Sequence, residues 1–314
     1  MSVQPRFVIG TRKSALALWQ SRHIADLLHK AFPEVSIELK EIITKGDLNS
    51  SASLPSIGGK GLFTAELEQE LLTGTIHFAV HSLKDLPTEM ESHFTLGAVS
   101  KRTWSGDVLI SRGHISFRSL PAGSVVGTSS PRRESQLKRL RPDLTYKDIR
   151  GNVDSRIKKV RSGEYDATVL AEAGLRRLSL EKEITEVFSE GDMLPAPGQG
   201  ALAVQCLSTE NDELFLRMLR VIEDDATRLE TTAERTFLHE LEAGCSTPVA
   251  AYAKFAGGTL SLKTACLSSD GCTLIRFDEI CEGTLSAGTK LARELARKAL
   301  DLGFDKLGFS KLNK

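Results

Sequence analysis

Strand-like and helix-like segments alternate through most of this chain, and that alternation limits the folds open to it more than any other feature. Arg6 to Gly10 reads as a short apolar strand. The spacing of Leu16, Ile24, Leu27 and Leu28 reads as a helix that ends before Pro33. Val35 to Ile43 alternates as a second strand, Leu62 to Leu72 returns to helix, and Ile76 to Val80 runs as a buried strand. From Asp107 the pattern restarts, with strands at Ser124 to Thr128, Leu144 to Ile149 and Ala167 to Leu170, each followed by a helical segment. This pattern predicts α/β domains around mainly parallel sheets, in which binding and catalytic groups sit at strand ends.

The texture changes in the last third. Asn211 to Leu241 is acidic and helical. Pro248 to Phe255, Thr259 to Leu267 and Cys272 to Cys281 read as three strands joined by Gly-Gly and Asp-Gly turns, with a helix from Ser286 to Leu300. That describes a small α+β domain, a three-stranded sheet with a covering helix. At 314 residues the chain exceeds one ordinary core. Three domains are expected: residues 1–103 with 201–222, residues 104–200, and residues 223–314. The strand Ala201 to Cys206, which follows the Pro-rich stretch Leu194 to Gly200, is expected to cross back to the first of them.

Composition narrows the setting. Hydrophobic residues at 40% and charged residues at 26% suit a water-soluble globular protein, and no run approaches the ~18 apolar residues of a membrane span. Met1 to Thr11 shows no basic-then-apolar leader, and the five cysteines include no C-x-x-C pair. A reducing, cytoplasmic setting is the expectation, with no disulfide framework, no thiolate zinc site and no membrane partner. Lys plus Arg total 41 and Asp plus Glu total 41, so only the distribution of charge is informative.

Four features carry candidate chemistry. Ser82, Lys84 and Asp85 follow the buried strand directly, before Pro87; they read either as a site or as a strand leaving through a polar turn. Arg12 and Ser14 lie at a strand-to-helix turn, where backbone N–H groups and the helix dipole favour an anion. Residues 131–161 hold eleven Arg and Lys against four acids. Such a run is either a solvated helix face or, since Arg132, Arg133 and Arg150 follow predicted strands without matching acids, a set of forks for carboxylates or phosphates. Nucleic acid would also use such arginines, but aromatics are only 6% and only Tyr146 interleaves the cluster, so no stacking platform is supported. Cys245 sits in a loop between helix and strand and is either a nucleophile or an incidental exposed thiol, whereas Cys206, Cys266, Cys272 and Cys281 read as packing residues. His77 and His81 lack the Glu of a zincin motif and read as satisfied or buried histidines rather than metal ligands.

The motifs, taken together, closely resemble the porphobilinogen deaminase (hydroxymethylbilane synthase) family. The matching pieces are Thr11-Arg12-Lys13-Ser14, Gly59-Lys60-Gly61-Leu62-Phe63, Val80 to Thr88, Gly127-Thr128-Ser129-Ser130-Pro131-Arg132-Arg133, Arg150-Gly151-Asn152-Val153-Asp154-Ser155-Arg156, Ala173 to Leu178, Pro197-Gly198-Gln199-Gly200-Ala201, and Glu234 to Pro248 around Gly244-Cys245. They occur in family order over nearly the whole chain.

The resemblance implies two α/β domains shaped like periplasmic binding proteins plus the small α+β domain, with the active site between the first two. It implies deamination and head-to-tail condensation of four porphobilinogen molecules into the linear tetrapyrrole hydroxymethylbilane. It implies a dipyrromethane cofactor held by a thioether to Cys245, a monomer as the working form, and no nucleic-acid partner. Asp85 and Lys84 are then the catalytic pair, Asp85 stabilising the cationic species left by ammonia and Lys84 serving a substrate carboxylate. Arg12, Ser14, Ser82, Thr128, Ser129, Ser130, Arg132, Arg133, Arg150, Gly151, Arg156, Arg177 and Gln199 are the residues expected to hold cofactor and substrate, whose acetates and propionates need arginine forks. Lys60 and Phe63 are expected at the hinge of a lid formed by the loop Thr44 to Gly61. One departure from the family pattern is Thr103-Trp104-Ser105-Gly106, which replaces an acidic, proline-containing stretch. The rival readings are a non-catalytic two-lobed polycarboxylate-binding protein, which needs no loop thiol, and a nucleic-acid-binding regulator.

Overall fold

The structure, a computed structural model, describes residues 4–48, 64–244 and 247–307. In chain order its strands are β1 (Arg6–Arg12), β2 (Ser36–Ile42), β3 (Phe78–Ser82), β4 (Phe94–Val99), β5 (Asp107–Ser111), β6 (Val125–Gly127) and β7 (Thr145–Lys147). They continue with β8 (Ala167–Ala171), β9 (Glu186–Val187), β10 (Leu202–Leu207), β11 (Val249–Ala256), β12 (Thr259–Leu267) and β13 (Leu274–Glu282). The chain divides into two compact units, residues 1–103 with 200–228 and residues 104–199 with 229–314.

The first unit is built on a sheet of order β2-β1-β3-β10-β4. β1 runs parallel to β2 and β3, while β10 is antiparallel to both β3 and β4. Residues Phe78 to His81 are all buried because both faces of the sheet are covered. On one face Phe7, Ile9, Phe78 and Val80 pack with Ile24 and Leu28 of the helix Ala15–Ala31 and with Phe215 and Met218 of the helix Glu213–Ile222. On the other, Ile42, Ile76 and Ala79 meet Leu67 and Leu71 of the helix Ala65–Leu72.

The second unit contains a sheet of order β7-β6-β8-β5-β9, with β6 parallel to β7 and β8 and with β5 antiparallel to β8 and β9. The two α/β sheets therefore repeat one sequence of strand directions. Each is mixed rather than mainly parallel, for the same reason. Its fourth strand enters directly from a chain crossing, β5 from the linker at 104–106 and β10 after Gln199, and an antiparallel entry needs no crossover helix. The three-stranded antiparallel sheet β11-β12-β13 lies in the same unit. Its core joins Ala253, Leu260 and Leu262 to Ala292, Leu295 and Ala296 of the helix Leu285–Asp301, and a second helix, Asp225–Glu240, adds Leu229, Ala233 and Phe237.

Within this unit the turn before β13 presses on the helix Pro131–Leu140. A side chain at Gly271 would bring a Cβ to 2.5 Å from the Ser135 carbonyl oxygen, and the residue has φ +75°, so glycine is required there. Cys272 in that turn is exposed, contrary to the packing expectation, because β13 begins two residues later; Cys206 and Cys266 are buried, and burial pushes their thiols up to about 11 and about 12.

Much of the acidic charge of residues 209–242 is used internally. In the first unit Glu223 accepts from the Val99 N–H and pairs with Arg228. In the second, Glu234, wholly buried, accepts from the N–H groups of Gly198 and Ala253 at 2.7 Å each. Carboxylates placed on backbone donors satisfy groups that burial would otherwise leave unpaired. Among the described residues no helix is long and apolar enough to cross a membrane.

Candidate active site

In the first unit β1 and β3 are adjacent and parallel, so their C-terminal ends form one edge, with Arg12 closing β1 and Ser82 closing β3. Ser14 caps the helix Ala15–Ala31, its Oγ accepting from Ala17 N–H at 3.3 Å, and the first turn of that helix contains no acid to offset the dipole. Beyond Ser82 the chain makes a single 3₁₀ turn, Leu83–Asp85. Leu83 and Leu86 are buried on either side of it, and the Leu83 N–H bonds to the Ala201 carbonyl at 3.1 Å. Lys84 is half-buried and Asp85 exposed, so a carboxylate stands on a rigid apolar base at the sheet edge. No side chain among the described residues pairs with it.

Gln20 ends the stretch of family pattern that begins with Thr11-Arg12-Lys13-Ser14, but it was not among the residues expected to hold cofactor or substrate. It is 3% exposed and donates from Nε2 to Ser82 Oγ at 2.8 Å, fixing that hydroxyl from the helix above. Its place in that pattern was the sequence signal, and a position two helical turns or less after Ser14 also suits an ordinary core polar residue.

In the second unit the ends of β6, β7 and β8 form a second such edge. Thr128 donates its N–H to Lys147 O at 2.9 Å, and its Oγ accepts from the Ser130 N–H at 3.2 Å. Ser129 Oγ donates to Ile149 O at 2.9 Å and accepts from Ile149 N at 3.1 Å, stitching the loop after β6 to the loop after β7. Ser130 stands at the N-cap with Pro131 behind it but makes no side-chain cap bond. Gly151 has φ +110°, and a Cβ there would lie 2.7 Å from Ser155 Cβ. That turn lets Gly151 O accept from Arg156 Nε at 2.8 Å.

The arginines separate into two kinds. Arg156 is lowered from its ordinary value to about 10, first by burial and then by the positive charges of Arg133 and Arg150. Among the described residues neither Arg150 nor Arg156 has a carboxylate partner. Arg177, at the end of the helix Glu172–Arg177 that follows β8, is also lowered to about 10 by burial.

Arg132 and Arg133 differ from the expectation of cations without matching acids. Both are buried on one carboxylate, Asp107 at the start of β5. Arg132 Nη1 donates to Asp107 Oδ2 at 2.6 Å and to Leu194 O at 2.7 Å. Arg133 donates to Asp107 Oδ1 through Nε at 3.0 Å and Nη2 at 2.8 Å, and its Nη1 donates to Val169 O at 3.0 Å. Gln199 Nε2 donates to Asp107 Oδ1 at 3.0 Å and to the carbonyls of Ser105 and Gly106 at 2.8 and 3.1 Å. Burial by itself would raise the Asp107 carboxyl; the charges of Arg132 and Arg133 outweigh it and hold the group well below the usual carboxylate range. Asp107 lies 25 residues before Arg132, and no local spacing in the sequence could reveal the pairing.

Cys245, Lys60 and Phe63 lie outside the described residues, as does most of the Thr44 to Gly61 loop, whose first part forms a short helix, Lys45–Leu48. The residues that are described fit a polyanionic dipyrrole in one testable respect. The charges of Arg133 and Arg150 act on a partly buried Arg156, and among the described residues neither Arg150 nor Arg156 has the carboxylate partner that a group bearing acetates and propionates would bring.

Two family models match the chain: "Porphobilinogen deaminase, dipyromethane cofactor binding domain" over residues 7–215, and "Porphobilinogen deaminase, C-terminal domain" over residues 228–301. The porphobilinogen deaminase of Thermobifida fusca is 45% identical over 305 residues, covering 95% of this chain and 94% of that protein. The one from Desulforudis audaxviator is 46% identical over 296 residues, covering 94% of each. That of Sulfurimonas denitrificans is 42% identical over 305 residues, covering 96% of each. Among solved structures, the periplasmic VFT2 domain of BvgS from Bordetella pertussis is 15% identical and aligns over 71% of this chain and 88% of that one with a TM-score of 0.44. The chain belongs to the porphobilinogen deaminase family.

Proposed function

We propose that this chain is a hydroxymethylbilane synthase, a transferase of tetrapyrrole biosynthesis that joins four porphobilinogen molecules head to tail with loss of ammonia. The observation that carries the reading is that, among the described residues, neither Arg150 nor Arg156 has a carboxylate partner, in a family whose substrate brings two carboxylates with every ring. When bound, the dipyrromethane supplies the pyrrole carbon on which the chain is extended, and Cys245 is the residue that anchors it.

The roles of this chain's residues follow from charge and placement. Asp85, exposed at the end of β3, places a negative charge against the cation that porphobilinogen becomes as ammonia departs, and its carboxylate is an acceptor for the proton released when rings join. Lys84 holds a substrate carboxylate as a point charge, whereas Arg12, Arg150, Arg156 and Arg177 hold carboxylates as forks. Ser14, Ser82, Ser130 and the backbone around Thr128, Ser129 and Gly151 add neutral donors at the same strand ends. Arg132, Arg133 and Gln199 belong to the same set through Asp107. The working form is a cytoplasmic monomer with neither nucleic acid nor membrane as partner.

The test is intact mass. Purified protein is expected to exceed its sequence mass by one dipyrrole, an increment absent from Cys245→Ser, and to convert porphobilinogen to a linear tetrapyrrole. A mass equal to the bare sequence, with no product formed, would overturn the reading; tight binding of porphobilinogen without product would favour a non-catalytic carboxylate binder.

A further inference from the structure

Arg12, His81, Gln205 and Glu68 share one face of the first sheet, the face covered by the helix Ala65–Leu72. In β1 a Cβ on Gly10 would meet Ile76 and Leu67, so Gly10 points to that helix, and Arg12, two residues on, points the same way. In β3 Ala79 packs with Leu67 and Leu71, which puts His81 on the same face. In β10 Gln205 opposes Ala79 and Ala203 opposes His81, so Gln205 is the diagonal neighbour of His81. Ser82 takes the opposite face, where it meets Gln20 of the first helix.

Register sets Arg12 against His81. β1 and β3 are parallel, with Ile9 beside Phe78 and Gly10 beside Ala79. Carried on by two residues, that register sets Arg12 beside His81, about 4.8 Å away at the backbone. The neighbour of Arg12 on its other side is Ile42 of β2, which has no polar group to offer. The polar neighbour within the sheet is His81.

The proton on His81 is placed from behind. Gln205 Nε2 donates to Glu68 Oε1 at 2.9 Å, so Gln205 Oε1 points away from that carboxylate. His81 Nε2 and Gln205 Oε1 are both buried, and neither has a hydrogen-bond partner among the described residues. A protonated Nε2 is the donor that Oε1 lacks, and Gln205 favours a proton on His81, as a facing acceptor does. With the proton on Nε2, Nδ1 keeps its lone pair. Burial above all, with Arg12 acting in the same direction, lowers the ionisation of the ring to about 4 and keeps it neutral at ordinary pH. Glu68, Gln205 and His81 thus form a line of dipoles that starts at a carboxylate and turns its negative end toward Arg12.

We infer that His81 is a positioning residue for Arg12: its Nδ1 accepts from the Arg12 guanidinium and holds that fork toward a carboxylate of the ligand. This rests on the function proposed above. A neutral acceptor suits the task better than an acid. A carboxylate beside Arg12 would neutralise it and compete with the ligand. An imidazole spends one N–H of the fork, fixes its direction before binding and leaves its charge intact.

The experiment compares wild type, His81→Leu and His81→Asn as purified holoproteins, with intact mass and the separate kcat and KM for porphobilinogen. His81→Leu removes the acceptor and is expected to raise KM roughly tenfold, the worth of one hydrogen bond to a charged group, with kcat changed much less. His81→Asn puts an amide oxygen near the place of Nδ1 and is expected to recover most of that loss, to within about threefold of wild type. A residue that only fills space would move KM equally in both variants or in neither, and either result overturns the inference. The second measurement is the tautomer of His81 in wild type, read at pH 7 from nitrogen NMR of 15N-histidine-labelled protein, with the His81 signal identified by its loss in His81→Asn. The proton is expected on Nε2; a proton on Nδ1 overturns the inference even where His81→Leu fails to fold. Wild type that carries no dipyrrole and makes no product removes the proposed function, and this inference with it, whereas active wild type beside a His81→Leu of unchanged KM removes the inference alone.

Discussion

Gln20 Nε2 and Ser82 Oγ meet at 2.8 Å across 62 residues of sequence, joining the first helix to the end of β3. Gln20 is 3% exposed, so its amide was desolvated to make this bond. Gln20→Leu keeps the volume and removes the donor. It is expected to cost about 1 kcal/mol of stability and to lower kcat/KM several-fold, because Ser82 loses the partner that sets its rotamer. Thermal denaturation beside steady-state kinetics checks both; an unchanged kcat/KM would make Ser82 a bystander.

Asp85 is exposed on a turn anchored by Leu83 and Leu86, so its removal has little to destabilise. Asp85→Ala is expected to leave the stability within about 0.5 kcal/mol of wild type and to lower kcat by ~10²–10³, the range seen when one preorganised charge is removed from a transition state. Product formation by absorbance and unfolding by circular dichroism suffice. Near-normal turnover would end its catalytic role.

Arg156 is costly to the fold. Burial, Arg133 and Arg150 together depress its ionisation to about 10. Arg156→Leu is expected to stabilise the protein by about 1 kcal/mol, as replacing a partly buried charge without a carboxylate partner by an apolar group does, while raising KM for porphobilinogen at least tenfold. Denaturant titration and kinetics must move in opposite senses. A loss of stability would mean that the cluster is internally balanced.

His81 makes stability depend on pH. Burial lowers its ionisation from 6.5 to about 4, with Arg12 acting in the same direction and Gln205 opposing. Between those values the unfolded chain binds a proton that the native chain does not. The stability present above pH 6.5 is therefore lost progressively as pH falls to about 4, in total roughly 3 kcal/mol. His81→Asn is expected to flatten that window, so the two proteins converge in stability as the solution is acidified. Parallel curves from pH 7 to pH 4 would show that His81 is not the titrating group. Asp107, depressed by its two arginines, adds a separate loss that begins as pH falls through the ordinary carboxylate range.

The buried strand Phe78 to His81, the polar exit at Ser82 to Asp85 and the three strands of the last sheet could all be read locally, because burial on both faces, strand alternation and Gly-containing turns are written into neighbouring residues. The direction of β5 and β10 could not. Both look like any other apolar strand, and their antiparallel place is set by where the chain re-enters each sheet.

The sequence by itself determined the family and the α/β character of the two larger sheets, since motif order and short-range periodicity survive without coordinates. Only the tertiary structure decided which cations are already spent. Arg132 and Arg133 share a stretch with Arg150 and Arg156, yet the first two close on Asp107 and the second two do not. Coulomb attraction acts across space, and the chain brings that carboxylate to the arginines on a strand whose partners lie far along the sequence.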